Sequence, residues 1–242
     1  MEFIQTYKRQ TYDLMEIEQG HRILDVGCGI GDDVLGMAEM VGPSGRVVGI
    51  DNSETRIDEA QKRSRGLRVP AEFRIGDIYH LDEVDNVFDS CRADRVFHEL
   101  ANGEQAFAEM VRVTRPGGRI VIFDVDWETL VIDEPNRAVT RKIVNLICDN
   151  LGNGWAARHL FRYFKQAGLV DVVIVPTTAI LNEYAMADQG FGLSTMAEAA
   201  QAAGDISKTE MADWLHYLKN AGETGSFFCS ITGYSVRGRK SV

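Results

Sequence analysis

The chain has 242 residues, 45% of them hydrophobic, and a formal charge of -10, enough for one sizeable core plus an insertion. A surface of that charge repels phosphate backbones and anionic headgroups, which argues against nucleic acid or a membrane as partner. Cys28, Cys91, Cys148 and Cys229 form no CxxC pair and Met1–Thr6 lacks a basic or apolar leader, so no metal, no disulfide framework and a cytoplasmic location are expected.

In chain order, apolar residues at Phe3, Ile4, Tyr7, Thr11, Leu14 and Met15 keep a helical spacing over residues 3–17, with Gly20 as its C′ residue. Arg22–Cys28 is a buried-strand candidate, followed by a helix through Val34, Leu35, Ala38 and Val41 and a turn at 42–45. Arg46–Ile50 reads as a second strand, and Ser53 as the N-cap of a helix running to about Arg65. Ala71–Ile75, Phe88–Ala93 and Arg119–Val125 are the third to fifth strands. Strands alternating with helices predict a parallel sheet covered on both faces.

Helices are expected next over 135–150, with Pro135 in the first turn, and over 155–167, ending at Gly168. Val170–Leu181 and Ser226–Val236 are the last two strands. Between them lies an insertion of roughly forty residues, a length that is usually functional. In it Ser207 and Glu210 have capping-box spacing, and Ile206 and Met211 that of a hydrophobic staple. The basic cluster Arg237, Arg239 and Lys240 reads as a solvated tail.

Ile23–Gly31 (ILDVGCGIG) runs from a strand into a glycine-rich turn and then a helix. Gly27, Gly29 and Gly31 permit a tight turn against which a ligand can lie. Asp51 ends the second strand about 20 residues beyond Gly31, where a carboxylate can accept both ribose hydroxyl protons. A dinucleotide fingerprint would need glycine or alanine at position 32. Asp32 stands there instead and would repel a pyrophosphate. An ammonium- and sulfonium-bearing ligand suits this acidic turn better, and Asp25 at the strand end could receive an amino group or merely brace the turn.

With these features the chain resembles the class I S-adenosylmethionine-dependent methyltransferases, in particular the small-molecule, ubiquinone-biosynthesis-type group. Asp25–Gly31 is similar to that family's first motif, Gly76-Asp77-Ile78 to the segment after its third strand, Phe88–Leu100 to its fourth strand and exit, and Arg115–Arg119 to the turn before its fifth. Arg92 departs from the pattern, since that strand is usually apolar. The resemblance implies a Rossmann-like α/β fold with a seven-stranded sheet of order 3-2-1-4-5-7-6, its last strand antiparallel. It implies S-adenosyl-L-methionine as cofactor, with Asp51 and its neighbour Asn52 at the ribose, Asp77 at the adenine amine and Ile78 on the ring. Ala93 and Arg95 lie along the cofactor at the fourth strand's exit. A single domain over 1–242 is expected, with residues 1–19 as a lid helix and 183–222 as a helical cap.

Two histidines are candidates for catalysis. His98 follows the fourth strand, as general base or as a plain helix-start residue, and His159 faces either the pocket or solvent. Trp127, Tyr7, Arg158, Tyr184 and Phe191 are candidates for substrate binding, with the first helix, Trp127, the Arg158–His159 helix and the insertion around Tyr184–Trp214 enclosing one apolar cavity. Tyr7 and Tyr12 could equally be the buried stripe of the first helix. The expected reaction is methyl transfer to a small-molecule acceptor, with a homodimer as candidate assembly. The rivals are a pseudo-methyltransferase that binds the cofactor without transfer, and a nicotinamide oxidoreductase, against which Asp32 and Gly76-Asp77-Ile78 stand.

Overall fold

The computed structural model describes the backbone from residue 2 and side chains from residue 4. Strands β1 (Arg22–Val26) and β2 (Arg46–Asp51) are buried along nearly their whole length, as strands covered on both faces must be. With β3 (Ala71–Ile75), β4 (Phe88–Asp94), β5 (Thr114–Ile132), β6 (Val170–Leu181) and β7 (Cys229–Arg239) they form one sheet of order β3-β2-β1-β4-β5-β7-β6. β1 to β5 are parallel, and β7 runs antiparallel to both β5 and β6. This is the expected topology. Val26 pairs with both Ile50 and Ala93, so the carboxyl ends of β2, β1 and β4 are level. The connection reverses direction between β1 and β4, where open α/β sheets hold their ligands.

One face of the sheet packs Leu24, Cys91 and Ile122 against α4 (Gly103–Val113) and α6 (Ala156–Gln166). The other packs Ile23, Val47 and Val121 against α2 (Asp32–Val41), α3 (Glu54–Ser64) and Met15 of α1 (Glu2–Met15). A third core joins the far halves of β5 and β7 to α5 (Arg137–Asn150), α7 (Tyr184–Phe191), α8 (Leu193–Ala202) and α9 (Lys208–Glu223). Trp214 is buried there and donates from Nε1 to Thr140 Oγ1 at 3.0 Å. The insertion therefore belongs to the core as well as covering it. Ser53 caps α3, and Ser207 and Glu210 form the expected capping box.

Three local expectations need correction. Glu16, at φ +49, takes the left-handed position after α1, so Gly20 is not its C′ residue and instead donates to Val41 O at 2.8 Å. The basic C-terminal cluster is no solvated tail. Arg237 and Arg239 belong to β7, Arg239 pairs with Asp171, and Lys240 Nζ donates to Val111 O (2.7 Å) and Thr114 O (2.8 Å), carbonyls left open at the end of α4. Finally, β5 runs beyond Val125, with a register break against β7 between Asp126 and Val131. Inside this irregularity Trp127 N–H donates to Gly154 O at 3.1 Å rather than to the ladder, which re-aims the chain at the carboxyl edge.

Candidate functional site

The glycine turn between β1 and α2 opens onto the level strand ends. Gly27 has φ +72, and a Cβ there would lie 2.3 Å from Val96 Cγ2, so only glycine lets β4's exit approach. Gly29 has φ +56 and no atom within 4 Å of its would-be Cβ; a side chain there would project into open volume. Gly31 lies against Phe73 and lines neither cleft described below.

Asp51 anchors the turn. Its carboxylate is buried and accepts from Gly29 N–H and Ser53 N–H, both at 2.9 Å, with Arg56 Nη1 at 3.8 Å. A carboxylate can accept about four hydrogen bonds, so capacity remains for two more donors. Asp51 and Asn52 line a narrow cleft of about 120 Å³ with Gly76, Asp77, Ile78 and Leu100. Asp77 Oδ1 accepts from Tyr79 N–H at 2.9 Å, and more than half of the Asp77 side chain stays exposed.

A second cleft, of about 390 Å³, continues past the turn between Gly29, Asp33, Asp94, Arg95, His98 and Trp127. Its floor is an ionic network. Arg92, 1% exposed, donates from Nη1 to Asp25 Oδ1 (2.9 Å) and from Nη2 to Asp94 Oδ2 (3.0 Å), with Asp33 Oδ2 at 3.3 Å. From α1, Lys8 Nζ reaches Asp33 at 2.7 Å and the Tyr12 hydroxyl bonds the same carboxylate. Burial pushes the Asp25 carboxyl above the usual range, against the pull of Arg92. Burial likewise opposes ionisation of Asp33, but Arg92, Lys8 and Tyr12 more than offset it and hold it below. Asp94 Oδ1 is buried without a hydrogen bond, 3.4 Å from Arg95 Nε. Acids at Asp33, Asp94 and Glu99 face bases at Lys8, Arg56 and Arg95 across this cleft; the unsatisfied Asp94 oxygen and the open Gly29 fit the ammonium-bearing end of S-adenosylmethionine.

The expected amino-group ligand Asp25 is thus committed to Arg92 and lines neither cleft. Ala93 is fully buried and lines neither. Sequence reasoning missed Lys8, Asp33, Asp94 and Glu99. The available signal was Asp94, an acid ending an apolar strand just before the turn.

His98 stands in a single 3-10 turn, Phe97–Glu99, rather than at the start of a long helix. Its Nδ1 is 2.7 Å from Asp124 Oδ1, while its backbone N–H donates to Asp124 Oδ2 at 3.0 Å. Burial would lower the imidazole pKa, but the Asp124 hydrogen bond and charge outweigh it and raise the value. A carboxylate partner fixes Nδ1 as the donor and leaves Nε2 as the basic nitrogen.

A third, apolar cavity of about 450 Å³ meets the second cleft at Arg95, Val125 and Trp127. α1 contributes Ile4 and Tyr7, the β6 end Ile180 and Leu181, and α7 Met186 and Phe191. Tyr7 is fully buried, stacked 3.9 Å from Phe123, and its hydroxyl is 3.4 Å from Asp94 Oδ2. Trp127 meets Phe191 edge-on at 6.3 Å.

Other expected members of this wall stand elsewhere. Arg158 spends its guanidinium on Asp126 (2.6 and 2.7 Å) and Glu128 (2.7 Å) and lies 4.9 Å from the Trp155 ring. His159 lies between Trp155 and Tyr163 and lines no cavity described here; burial and two neighbouring arginines lower its pKa. Tyr184 packs on Phe227 and opens onto a separate surface hollow. Ion pairing with β5's acids turns Arg158 outward, and α6 covers the sheet face rather than its edge.

A methyltransferase-domain family model matches residues 17–168. Over 233 residues the chain is 38% identical to an uncharacterized 37.1 kDa protein in transposon Tn4556 of Streptomyces fradiae, covering 96% of this chain and 66% of that one. It is 30% identical over 125 residues to the demethylmenaquinone methyltransferase of Lactobacillus johnsonii, 51% of each chain. The chain therefore spans less than two thirds of the length of these relatives. In fold it superposes on the YcgJ protein of Bacillus subtilis with a TM-score of 0.69 at 16% identity, covering 98% of this chain and 99% of that one. Among the described residues no group of side chains could hold a metal ion and no helix is long and apolar enough to cross a membrane; the four cysteines are free and buried. The chain belongs to the methyltransferase-domain family and carries the seven-stranded fold of its class I, S-adenosylmethionine-dependent members.

Proposed function

We propose that the chain transfers a methyl group from S-adenosylmethionine to a small, largely apolar acceptor held in the third cavity. The observation that carries this reading is continuity. Gly27 borders both clefts, Val125 and Trp127 border the second cleft and the apolar cavity, and Arg95 borders all three. Asp51 accepts the ribose hydroxyls, Ile78 and Asp77 meet the adenine, and Asp94 in the second cleft takes the ammonium of the remaining chain. The cofactor supplies a methyl carbon already activated by its sulfonium. The protein's remaining task is to align acceptor and methyl in a site shielded from water. Tyr7, Trp127 and Phe191 shape that space, α1 and α7 close it as lid and cap, and Nε2 of His98 takes the acceptor's proton, with Asp124 as the positioning residue. The anionic surface keeps nucleic acid away, and free buried thiols suit a reducing, cytoplasmic setting.

Calorimetric titration with S-adenosylhomocysteine and with NADH tests the cofactor. Turnover of methyl-labelled S-adenosylmethionine with a panel of hydrophobic phenols and acids tests transfer. Binding of the homocysteine compound alone, followed by label in an acceptor, is the expected outcome. Preference for NADH would overturn the reading, and cofactor binding with no transfer to any acceptor would point to a pseudo-methyltransferase.

A further inference from the structure

Among the described residues, the apolar cavity carries one charged side chain, that of the half-exposed Arg95. Arg95 is also a non-glycine residue held at φ +56, with its backbone N–H donating to Phe123 O at 2.8 Å. For a residue with a Cβ that conformation is strained, and such outliers collect at working sites. The turn sets the guanidinium 6.0 Å from the Tyr7 ring centroid, and Tyr7 lines the apolar cavity but neither cleft. Among the described residues the guanidinium approaches one carboxylate, Asp94, with Nε 3.4 Å from Oδ1, and its two Nη groups have no hydrogen-bond acceptor. Trp127, which shares the second cleft and the apolar cavity with Arg95, has a buried Nε1 donor that also lacks an acceptor among the described residues. The Tyr7 hydroxyl already reaches Asp94. Apart from the Asn182 amide, the side-chain polarity left over at this cavity consists of donors, which is the complement of a ligand that presents oxygen acceptors.

We propose that Arg95, with the Trp127 indole N–H, anchors an anionic oxygen on an otherwise hydrophobic methyl acceptor, so that the acceptor class is an apolar ring bearing a carboxylate or an ionised hydroxyl. This rests on the methyl-transfer reading above and assigns to Arg95 the orienting role that Arg158, tied to Asp126 and Glu128, does not fill. The charge is matched to the chemistry. A cation at the neck between cofactor cleft and cavity favours the ionised form that a weakly acidic acceptor reaches when Nε2 of His98 takes its proton, and guanidinium–oxyanion hydrogen bonds are the strong kind. The low polarity of the rest of the wall strengthens them.

The test uses 2-naphthoate and its neutral isostere 2-naphthamide as probes, titrated into the protein saturated with S-adenosylhomocysteine. The wild type should prefer naphthoate by at least about tenfold. Arg95→Gln should bring the ratio near one, read at saturating S-adenosylhomocysteine so that any change in cofactor affinity at the neighbouring clefts does not enter, and Arg95→Lys should keep part of the preference. The cofactor titration and a thermal melt show that each variant is folded. No preference in the wild type, or a preference that survives in Arg95→Gln, overturns the proposal. So does a fall in S-adenosylhomocysteine affinity with unchanged 5′-methylthioadenosine affinity, which would make Arg95 a ligand of the cofactor's carboxylate. Failure of the wild type to bind S-adenosylhomocysteine at all would instead sink the methyl-transfer reading, and the anchor with it.

Discussion

The His98 imidazole and the Asp124 carboxylate form a largely buried pair, Nδ1 to Oδ1 at 2.7 Å, that joins β4's exit to β5 just beyond the pairing of the two strands. Two consequences follow from one contact. The carboxylate orients the ring with Nε2 away from it, and it raises the imidazole pKa above the ordinary 6.5 despite burial. A base must be neutral to act, so the acid limb of the rate profile should lie above about 6.5. Asp124→Asn should move that limb to lower pH, and His98→Ala should reduce the methyl-transfer rate by about 10²–10⁴-fold. A rate profile unchanged in both variants would remove His98 from the chemistry.

The same pair bears on stability. Because the folded-state pKa of His98 is raised, the pair's contribution is fully present below the unfolded pKa and is lost as pH rises through the folded value. Urea denaturation of wild type and Asp124→Asn should therefore diverge most on the acid side of that window and converge above it. A gap independent of pH would mean that Asp124 acts through packing and its backbone bond alone.

Arg92 places a full charge inside a strand that the family pattern keeps apolar, and three carboxylates from β1, α2 and β4 compensate it. Its Nε also lies 3.4 Å from Thr11 Oγ1 on α1. Arg92→Leu strands Asp25 and Asp94 without their cation and should cost about 3–5 kcal/mol in urea denaturation. Adding Asp25→Asn should recover part of that loss, since the two changes share one network. A cost below about 1 kcal/mol would mean the network relaxes into solvent.

Phe191, with Met186, brings the insertion to the apolar cavity, where its ring meets Trp127 edge-on. Phe191→Ala should weaken acceptor contact by about 1.5–3 kcal/mol, roughly ten- to hundredfold in KM. S-adenosylhomocysteine affinity, read by calorimetry, should barely move. A loss of cofactor affinity with unchanged KM would place Phe191 outside the acceptor site.

The strand order and the glycine turn were legible because both are local signals, a buried apolar run and a backbone that only glycine allows. Asp51 and Asp77 could be placed for the same reason: each immediately follows or ends a strand. The acceptor wall was legible only in part. Tyr7, Trp127 and Phe191 do line one cavity, but the sequence does not reveal that Arg158 turns toward Asp126 and Glu128, or that α6 covers a sheet face. Those are tertiary choices among several acidic partners. Trp214 was misjudged because a tryptophan in an alanine-rich insertion looks like a lid residue, whereas its indole is hydrogen-bonded to Thr140 inside a core. The Arg92 network escaped because Asp25 and Asp33 lie far from Arg92 in sequence, the first brought to it by the pairing of β1 with β4 and the second by α2. Arg95 was expected along the cofactor; its left-handed backbone and its place at the apolar cavity needed coordinates.

Asp51 holds the glycine turn through Gly29 N–H and borders the first cleft, so it links the turn to the cofactor. The decisive measurement is the calorimetric affinity of S-adenosylhomocysteine for wild type and Asp51→Ala, with a thermal melt of each. Loss of two charge-assisted hydrogen bonds, each worth about 1.5–3 kcal/mol, predicts a fall of at least about a hundredfold in affinity in a variant that remains folded. Equal affinity in wild type and Asp51→Ala would contradict the assignment of this cleft to the cofactor.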